Sequence, residues 1–187
     1  MSKVKVNVAR LFVPHSMLLS AADKAIKSAS LKEVGYWYDW LSAILFCSLS
    51  IEAIGNTYGE TFIHRWKDFE SSSPAAKIRI VAEHCGLNPD FSKHPWSSVP
   101  ELISFRNRVA HAKLEDIKVE SLHHVDHYQK HLYSMPASKL EKMVTEEFAR
   151  NSYDCIYEIL LLLGAALPSS KVIELEMGGW SGDASVL

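Results

Sequence analysis

An all-α bundle of four to six helices, preceded by a short extended arm, is the fold class that this sequence predicts. Apolar residues recur at helical spacing over long segments, and serine or proline stands where helices are expected to begin. Alternation typical of a strand occurs in the arm, residues 1–13. The 187 residues suffice for one domain with a buried core. We therefore expect a single helical domain over residues 14–168 and, because of its glycines, a loosely ordered tail over residues 169–187.

The first half of the domain is predicted to contain three helices. One is expected over residues 14–30, since a proline at its first position favours a helix start. Residues 36–58 form the expected central helix, because their apolar residues recur at helical spacing. Ser73 as cap and Pro74 in the first turn begin a third helix, which ends near Gly86.

Two capping boxes, each a serine followed three residues later by a glutamate, predict the helices of the second half. Ser98 and Glu101 indicate a helix over about residues 99–112. Ser138 and Glu141 indicate the start of the last long helix. The predicted domain is thus helical almost throughout, with a loop over residues 88–96, where two prolines stand.

Composition excludes several classes of protein. Hydrophobic residues make up 48% and charged residues 22%, as in ordinary soluble domains, and a net charge of −2 argues against a dedicated basic nucleic-acid binder. Cys47, Cys85 and Cys155 have no C-x-x-C spacing, which fits a reducing compartment. The longest apolar stretch, Leu41–Ile51, is far shorter than the about 20 residues of a membrane span. We expect a cytoplasmic protein without a membrane contact.

The most informative stretch is a run of polar residues on the helix over 99–112. Arg106, Asn107, Arg108 and His111 lie within six residues of one another. A guanidinium binds a phosphate through two hydrogen bonds, and an imidazole transfers protons near neutral pH. These groups are suited to phosphodiester chemistry; the alternative is an ordinary charged helix surface.

The helical register constrains how these side chains can act together. The predicted core face consists of Leu102, Phe105, Val109 and Ala112. Asn107 and His111 project together on the opposite side, whereas Arg106 lies about 140° from His111 at about 100° per residue. Arg106 and His111 therefore do not meet on one undistorted helix. Either the helix end is distorted or a second copy of the helix, in a symmetric dimer, supplies the missing partner.

The motif resembles the R-x-x-x-x-H signature of the HEPN (higher eukaryotes and prokaryotes nucleotide-binding) family. Arg106 matches the arginine, Asn107 the polar neighbour and His111 the histidine. Residues 50–56 are similar to an early helix of that family, in which a glutamate and an asparagine follow apolar residues. The resemblance covers about residues 37–167 and implies a HEPN-like bundle.

The resemblance also implies a metal-independent endoribonuclease of the toxin or phage-defence kind that acts as a homodimer without a cofactor. His111 would transfer the proton, Arg106 would stabilise charge on the phosphate, and Asn107 would orient either group. Arg108 and Lys113 are the expected contacts to RNA, and an antitoxin or regulatory partner is expected. Some family members bind a nucleotide, RNA or a protein without hydrolysis, and that alternative stays open.

Two further clusters have alternative readings. His123, His127 and His131 would form one stripe on a helix. The stripe would belong to a polar surface segment, contact RNA beside His111 or bind a metal ion. Glu52 and Asn56 stand four apart on an apolar helix, where they would be costly to bury unpaired. They either hydrogen-bond to each other, or Glu52 faces Arg106 and sets its position.

Overall fold

A computed structural model of the chain describes residues 4–120, 135–167, 175 and 180–186. Its elements, in chain order, are β1 (Val4–Arg10), α1 (Pro14–Ser30), α2 (Tyr36–Phe62), a 3₁₀ turn (Trp66–Phe69), α3 (Pro74–His84), α4 (Ser98–Ala110), α5 (Lys139–Met143), α6 (Glu146–Ala165) and β2 (Trp180–Val186). The described residues confirm the predicted all-α class, with a two-stranded ribbon added at the ends.

The bundle is organised around α2, which packs against α1, α3, α4 and α6. This helix is the most apolar of the long described helices, as expected of an element that is surrounded by others. Its buried side chains include Ile44, Ile51 and Ile54, and Phe105 of α4 completes the same core. The orientation of α4 against α2 then determines where the polar residues of the motif lie.

Several predicted helix boundaries are confirmed. The first helix runs from Pro14 to Ser30, and the central helix starts at Tyr36 and extends one turn beyond the expected end. Ser73 caps α3, and its side chain accepts a hydrogen bond from the Ala76 N–H.

The two predicted capping boxes have different outcomes. The box at Ser98 and Glu101 is wrong: Ser97 is the N-cap of α4, and the Ser98 hydroxyl donates to the Pro95 carbonyl at 2.7 Å. The box at Ser138 and Glu141 is present, but it opens the five-residue α5. The long α6 has its own cap, Thr145.

The expectation of a loosely ordered tail is wrong over the seven residues of β2. This strand pairs antiparallel with β1 in a register that places Val4 opposite Val186 and Arg10 opposite Trp180. The Asn7 amide also donates to the Asp183 carboxylate at 2.8 Å. Its residues alternate between apolar and polar, but Gly182, Asp183 and Ala184 are residue types that strands disfavour, so residue propensity did not indicate this strand.

By length and composition alone, α2 is the one described helix that could cross a membrane. Half of its most apolar window is buried inside the bundle, and the core helix of a soluble protein has the same properties. The fold is therefore compatible with a soluble protein.

Gly59 allows the 3₁₀ turn to close against α2. A Cβ atom at this position would lie 2.3 Å from two ring atoms of Trp66, which is itself buried. Alanine normally stabilises a helix relative to glycine by about 1 kcal/mol. Here we expect Gly59→Ala to lower the free energy of unfolding by about 1–3 kcal/mol, measured in urea, because the core is overpacked. A Trp66→Leu background should remove most of that loss, and a stabilised Gly59→Ala protein would contradict the packing.

Candidate active site

The motif lies at the C-terminal end of α4. Ala110 is the last helical residue, and His111 is the C-cap, with φ −113° and ψ 21°. The His111 N–H still donates to the Asn107 carbonyl at 3.0 Å, so its backbone continues the hydrogen bonding of the helix. Residues 112–120 follow without regular structure. The histidine thus stands where the helix opens into an exposed segment.

The predicted register of this helix is largely confirmed. Leu102 and Phe105 are fully buried, and the Phe105 ring makes an edge contact with Phe148 of α6 at 5.6 Å. Val109 is partly buried against the core. The expectation that Ala112 packs into the core is wrong, because the helix ends two residues earlier and Ala112 is exposed.

Arg106 points across the helix interface towards α2. Its Nη1 donates to Glu52 Oε2 at 3.4 Å, which confirms that Glu52 faces Arg106. The alternative pairing of Glu52 with Asn56 is wrong. The Asn56 Oδ1 is buried without a hydrogen-bond partner among the described residues.

Lys77 of α3 joins Glu52 and Arg106 in an ion-pair group of three side chains, and the sequence did not indicate it. Its side chain is only 3% exposed, and its Nζ lies 3.1 Å from Glu52 Oε1. Gly55 makes this approach possible, since a Cβ there would lie 2.8 Å from the Lys77 Cβ. The available signals were a glycine within the central helix and a lysine preceded by two alanines.

The group places one carboxylate between two cations. The side chains of Glu52 and Arg106 are 38% and 32% exposed, so water screens their attraction, and pairs of this kind contribute at most about 1 kcal/mol. Arginine has five N–H donors, and the described residues occupy one of them. Arg106 is held at one edge by Glu52 and keeps donors for an anionic ligand.

The other predicted site residues are exposed at the same end of α4 and just beyond it. They are Asn107, Arg108, His111 and Lys113. Within the described ranges, none of their side chains forms a hydrogen bond or an ion pair. The helix thus presents Arg106 towards α2 and the remaining motif residues to solvent, as the register requires.

Glu52 and Asn56 also line a groove of about 760 Å³ between the start of α1 and the second half of α2. The groove is mainly apolar at its α1 side, where Phe12 and Leu18 contribute. Neither Arg106 nor His111 is among its lining residues. Glu52 is therefore the one residue that this groove shares with the ion-pair group.

The predicted histidine stripe, His123, His127 and His131, lies outside the described residues. Within the described part of the chain, no group of three His, Cys, Asp or Glu side chains is arranged to hold a metal ion.

A scan against protein-family models and searches of the curated proteins and of the solved structures found no match to this chain.

Glu52 is expected to stabilise the fold mainly through Lys77. Glu52→Gln removes the charge that compensates a buried ammonium group, and breaking such a pair costs more than the pair contributes. Because Glu52 is partly exposed, we expect a loss of about 1–2 kcal/mol in urea unfolding. Glu60→Gln, an exposed change on the same helix, is the matched control. Adding Lys77→Met to Glu52→Gln should recover stability; no recovery would contradict this assignment.

Proposed function

We propose that this protein is a metal-independent endoribonuclease of the HEPN type, whose site forms between two copies of α4. The main support for the proposal is that the two motif residues Arg106 and His111 have different surroundings. Arg106 is held by Glu52 with donors to spare, while His111 stands exposed at the helix end without a partner in the described ranges. These are the requirements for an anion-binding group and a proton-transfer group.

In the proposed reaction, the RNA 2′-hydroxyl attacks the adjacent phosphorus atom. His111 of one protomer accepts the hydroxyl proton, and the P–O5′ bond breaks as the same residue of the other protomer protonates the leaving oxygen. Arg106 stabilises the negative charge on the phosphoryl oxygens during this step. Asn107 orients the phosphate or the histidine. The products are a 2′,3′-cyclic phosphate and a 5′-hydroxyl.

Two features support a site shared by two protomers. At about 100° per residue, side chains five positions apart such as those of Arg106 and His111 project about 140° apart, so one undistorted helix cannot direct both at a small ligand. The segment after His111 also carries apolar side chains in solvent: Leu114 is fully exposed and Val119 is 67% exposed. Exposed apolar residues next to polar groups are typical of interaction surfaces. A second copy covering this segment would bring the two histidines to one cleft.

RNA recognition in this proposal is local rather than global. The chain has a net charge of −2, so phosphate contacts rest on a few cations, for which Arg108 and Lys113 are placed beside His111. Few contacts imply modest affinity and a shallow dependence on salt. We place the activity in the cytoplasm, under an antitoxin or another regulatory partner, as in toxin and phage-defence systems.

The decisive experiment is cleavage of a mixed RNA pool by the purified protein in EDTA. Metal-independent cleavage that leaves cyclic phosphate ends, and that is lost in both Arg106→Ala and His111→Ala, would support the proposal. An intact protein that binds RNA or nucleotide without cutting would identify a non-catalytic module. Cleavage that requires added metal would contradict the proposal and would favour a metal site in the histidine stripe.

A further inference from the structure

A second cluster of reactive groups lies about the N-terminal end of α4, distinct from the motif. The Cys155 Sγ lies 3.6 Å from His94 Nδ1, and His94 Nε2 lies 2.6 Å from Glu158 Oε2. The imidazole thus stands between a thiol and a carboxylate, with one ring nitrogen facing each. This is the order of nucleophile, base and orienting group that nucleophilic catalysis requires.

The fold holds these three side chains in place. Cys155 and Glu158 are three residues apart on α6 and therefore neighbours on one helix surface. His94 lies in the loop before α4 and is followed by two buried residues, Pro95 and Trp96. The Ser97 N–H also donates to the Lys93 carbonyl at 2.8 Å and closes a turn around His94. The loop and the helix are thus fixed relative to each other.

The cluster is accessible to a substrate. It lines a groove of about 770 Å³ between the start of α4 and one side of α6. The side chains of His94 and Glu158 are 66% and 45% exposed, and Cys155 is partly buried. A group that only supported the core would not open onto such a groove.

We propose that Cys155 is a nucleophile that accepts an acyl group, with His94 as its base and Glu158 orienting the imidazole. The Cys155 sulfur would form a bond to the carbonyl carbon of an ester as its proton passes to His94 Nδ1. The leaving alcohol would take that proton when the C–O bond breaks, and a thioester would remain. Water, deprotonated by the same imidazole, would then release the acid and restore the thiol. This site is independent of the motif.

The charge of the groove determines the class of acyl donor. Four carboxylates line it, and the described lining contains no lysine or arginine: the acids are Glu101, Glu147, Asp154 and Glu158. Such a field repels anions. The expected donors are therefore neutral or cationic esters.

The thiol depends on its base. Burial raises the pKa of Cys155, the nearby Glu158, Asp154 and Glu101 raise it further, and a hydrogen bond with Ser98 opposes them. Since the thiolate is the nucleophile, removal of the proton by His94 is what makes Cys155 reactive. The other two cysteines serve as internal references. Burial raises the pKa of Cys85, and burial together with the charge of Asp154 raises the pKa of Cys47 to about 12.

Alkylation of the folded protein tests the nucleophile. With iodoacetamide at neutral pH, followed by peptide mass spectrometry, Cys155 should react about 10-fold or more faster than Cys85. His94→Gln should reduce that rate to the Cys85 level. Negatively charged iodoacetate should lose the preference for Cys155. Equal rates at the two cysteines, or no effect of His94→Gln, would overturn the proposal.

Acyl transfer tests the reaction itself. p-Nitrophenyl acetate should give a burst of about one nitrophenol per chain and an acetyl group on Cys155, both absent in Cys155→Ser. The anionic p-nitrophenyl hemisuccinate should react more slowly, whereas a trimethylammonio-acetate ester should react at least as fast as the acetate. Circular dichroism verifies that Cys155→Ser is folded. A burst that persists in Cys155→Ser would overturn the assignment, and so would the absence of a burst. Arg106→Ala and His111→Ala should leave the nitrophenol burst unchanged, so this test is separate from the test for the ribonuclease.

Discussion

His111→Ala is expected to lower the rate of RNA cleavage by about 10²–10⁴-fold, the usual contribution of general acid–base catalysis. The residue lies beyond the last helical position and is exposed, so its loss should not unfold the protein. His84→Ala is the matched control, because His84 is also an exposed histidine at the end of a helix. Equal cleavage by the two variants would remove His111 from the reaction.

The same variant tests whether two chains share the site. When His111→Ala chains are exchanged with intact chains in equal amounts, only about a quarter of the dimers contain two intact copies. If both histidines are needed, cleavage should fall to about a quarter of that of the same total concentration of intact protein. A fall to about a half would mean that each chain acts alone, and the shared cleft would be wrong.

Acidification is expected to destabilise the fold through a single buried histidine. His15 of α1 is 1% exposed and neither ring nitrogen has a hydrogen-bond partner in the described ranges. Its ring contacts that of Tyr58, with centroids 5.9 Å apart. Burial lowers the pKa of His15 from 6.5 to about 4. The neutral ring is therefore accommodated in the core, and the imidazolium is excluded.

The direction of the change in stability with pH follows from which state of the chain binds the proton. Below pH 6.5 the unfolded chain binds a proton at His15 that the folded chain does not bind until about pH 4, so stability falls as the pH falls through this window. Between pH 7.5 and 4.5 the loss from this residue should be about 2–3 kcal/mol. Urea unfolding of the intact protein and of His15→Leu, at both pH values, measures it. On acidification, His15→Leu should lose about 2–3 kcal/mol less stability than the intact protein. Equal losses in the two proteins would show that the folded protein binds a proton at His15 as readily as the unfolded chain does.

Local patterns were sufficient to predict the bundle and the orientation of its motif helix. A helix such as α2 can be recognised because nearly every position that is buried is also apolar. The approach of Glu52 to Arg106 could be expected as well, since a carboxylate on an apolar helix requires a partner.

Other features depend on contacts between distant segments and could not be predicted. Lysine on a helix ordinarily extends to solvent, and Lys77 is buried only because Gly55 lets α3 approach α2 closely. The relation of His94 to Cys155 joins a loop to a helix 61 residues away. No pattern in the sequence indicates that these two residues lie close together. The start of α4 was misplaced for a local reason, since the Ser98 hydroxyl bonds backwards to Pro95.

The β1–β2 ribbon bears on how the chain could be rearranged. Val4 and Val186 are opposite each other in the register, so their Cα atoms are about 5 Å apart, and a two-residue turn that replaces residues 1–3 and 187 can join them. New ends could then be placed in the exposed loop over residues 31–35. In that permuted protein the ribbon becomes a hairpin between sequence neighbours. The same cut makes the contact between α1 and α2, the most extensive one between described elements, a contact between distant segments, so permutation exchanges which contact of the fold is local.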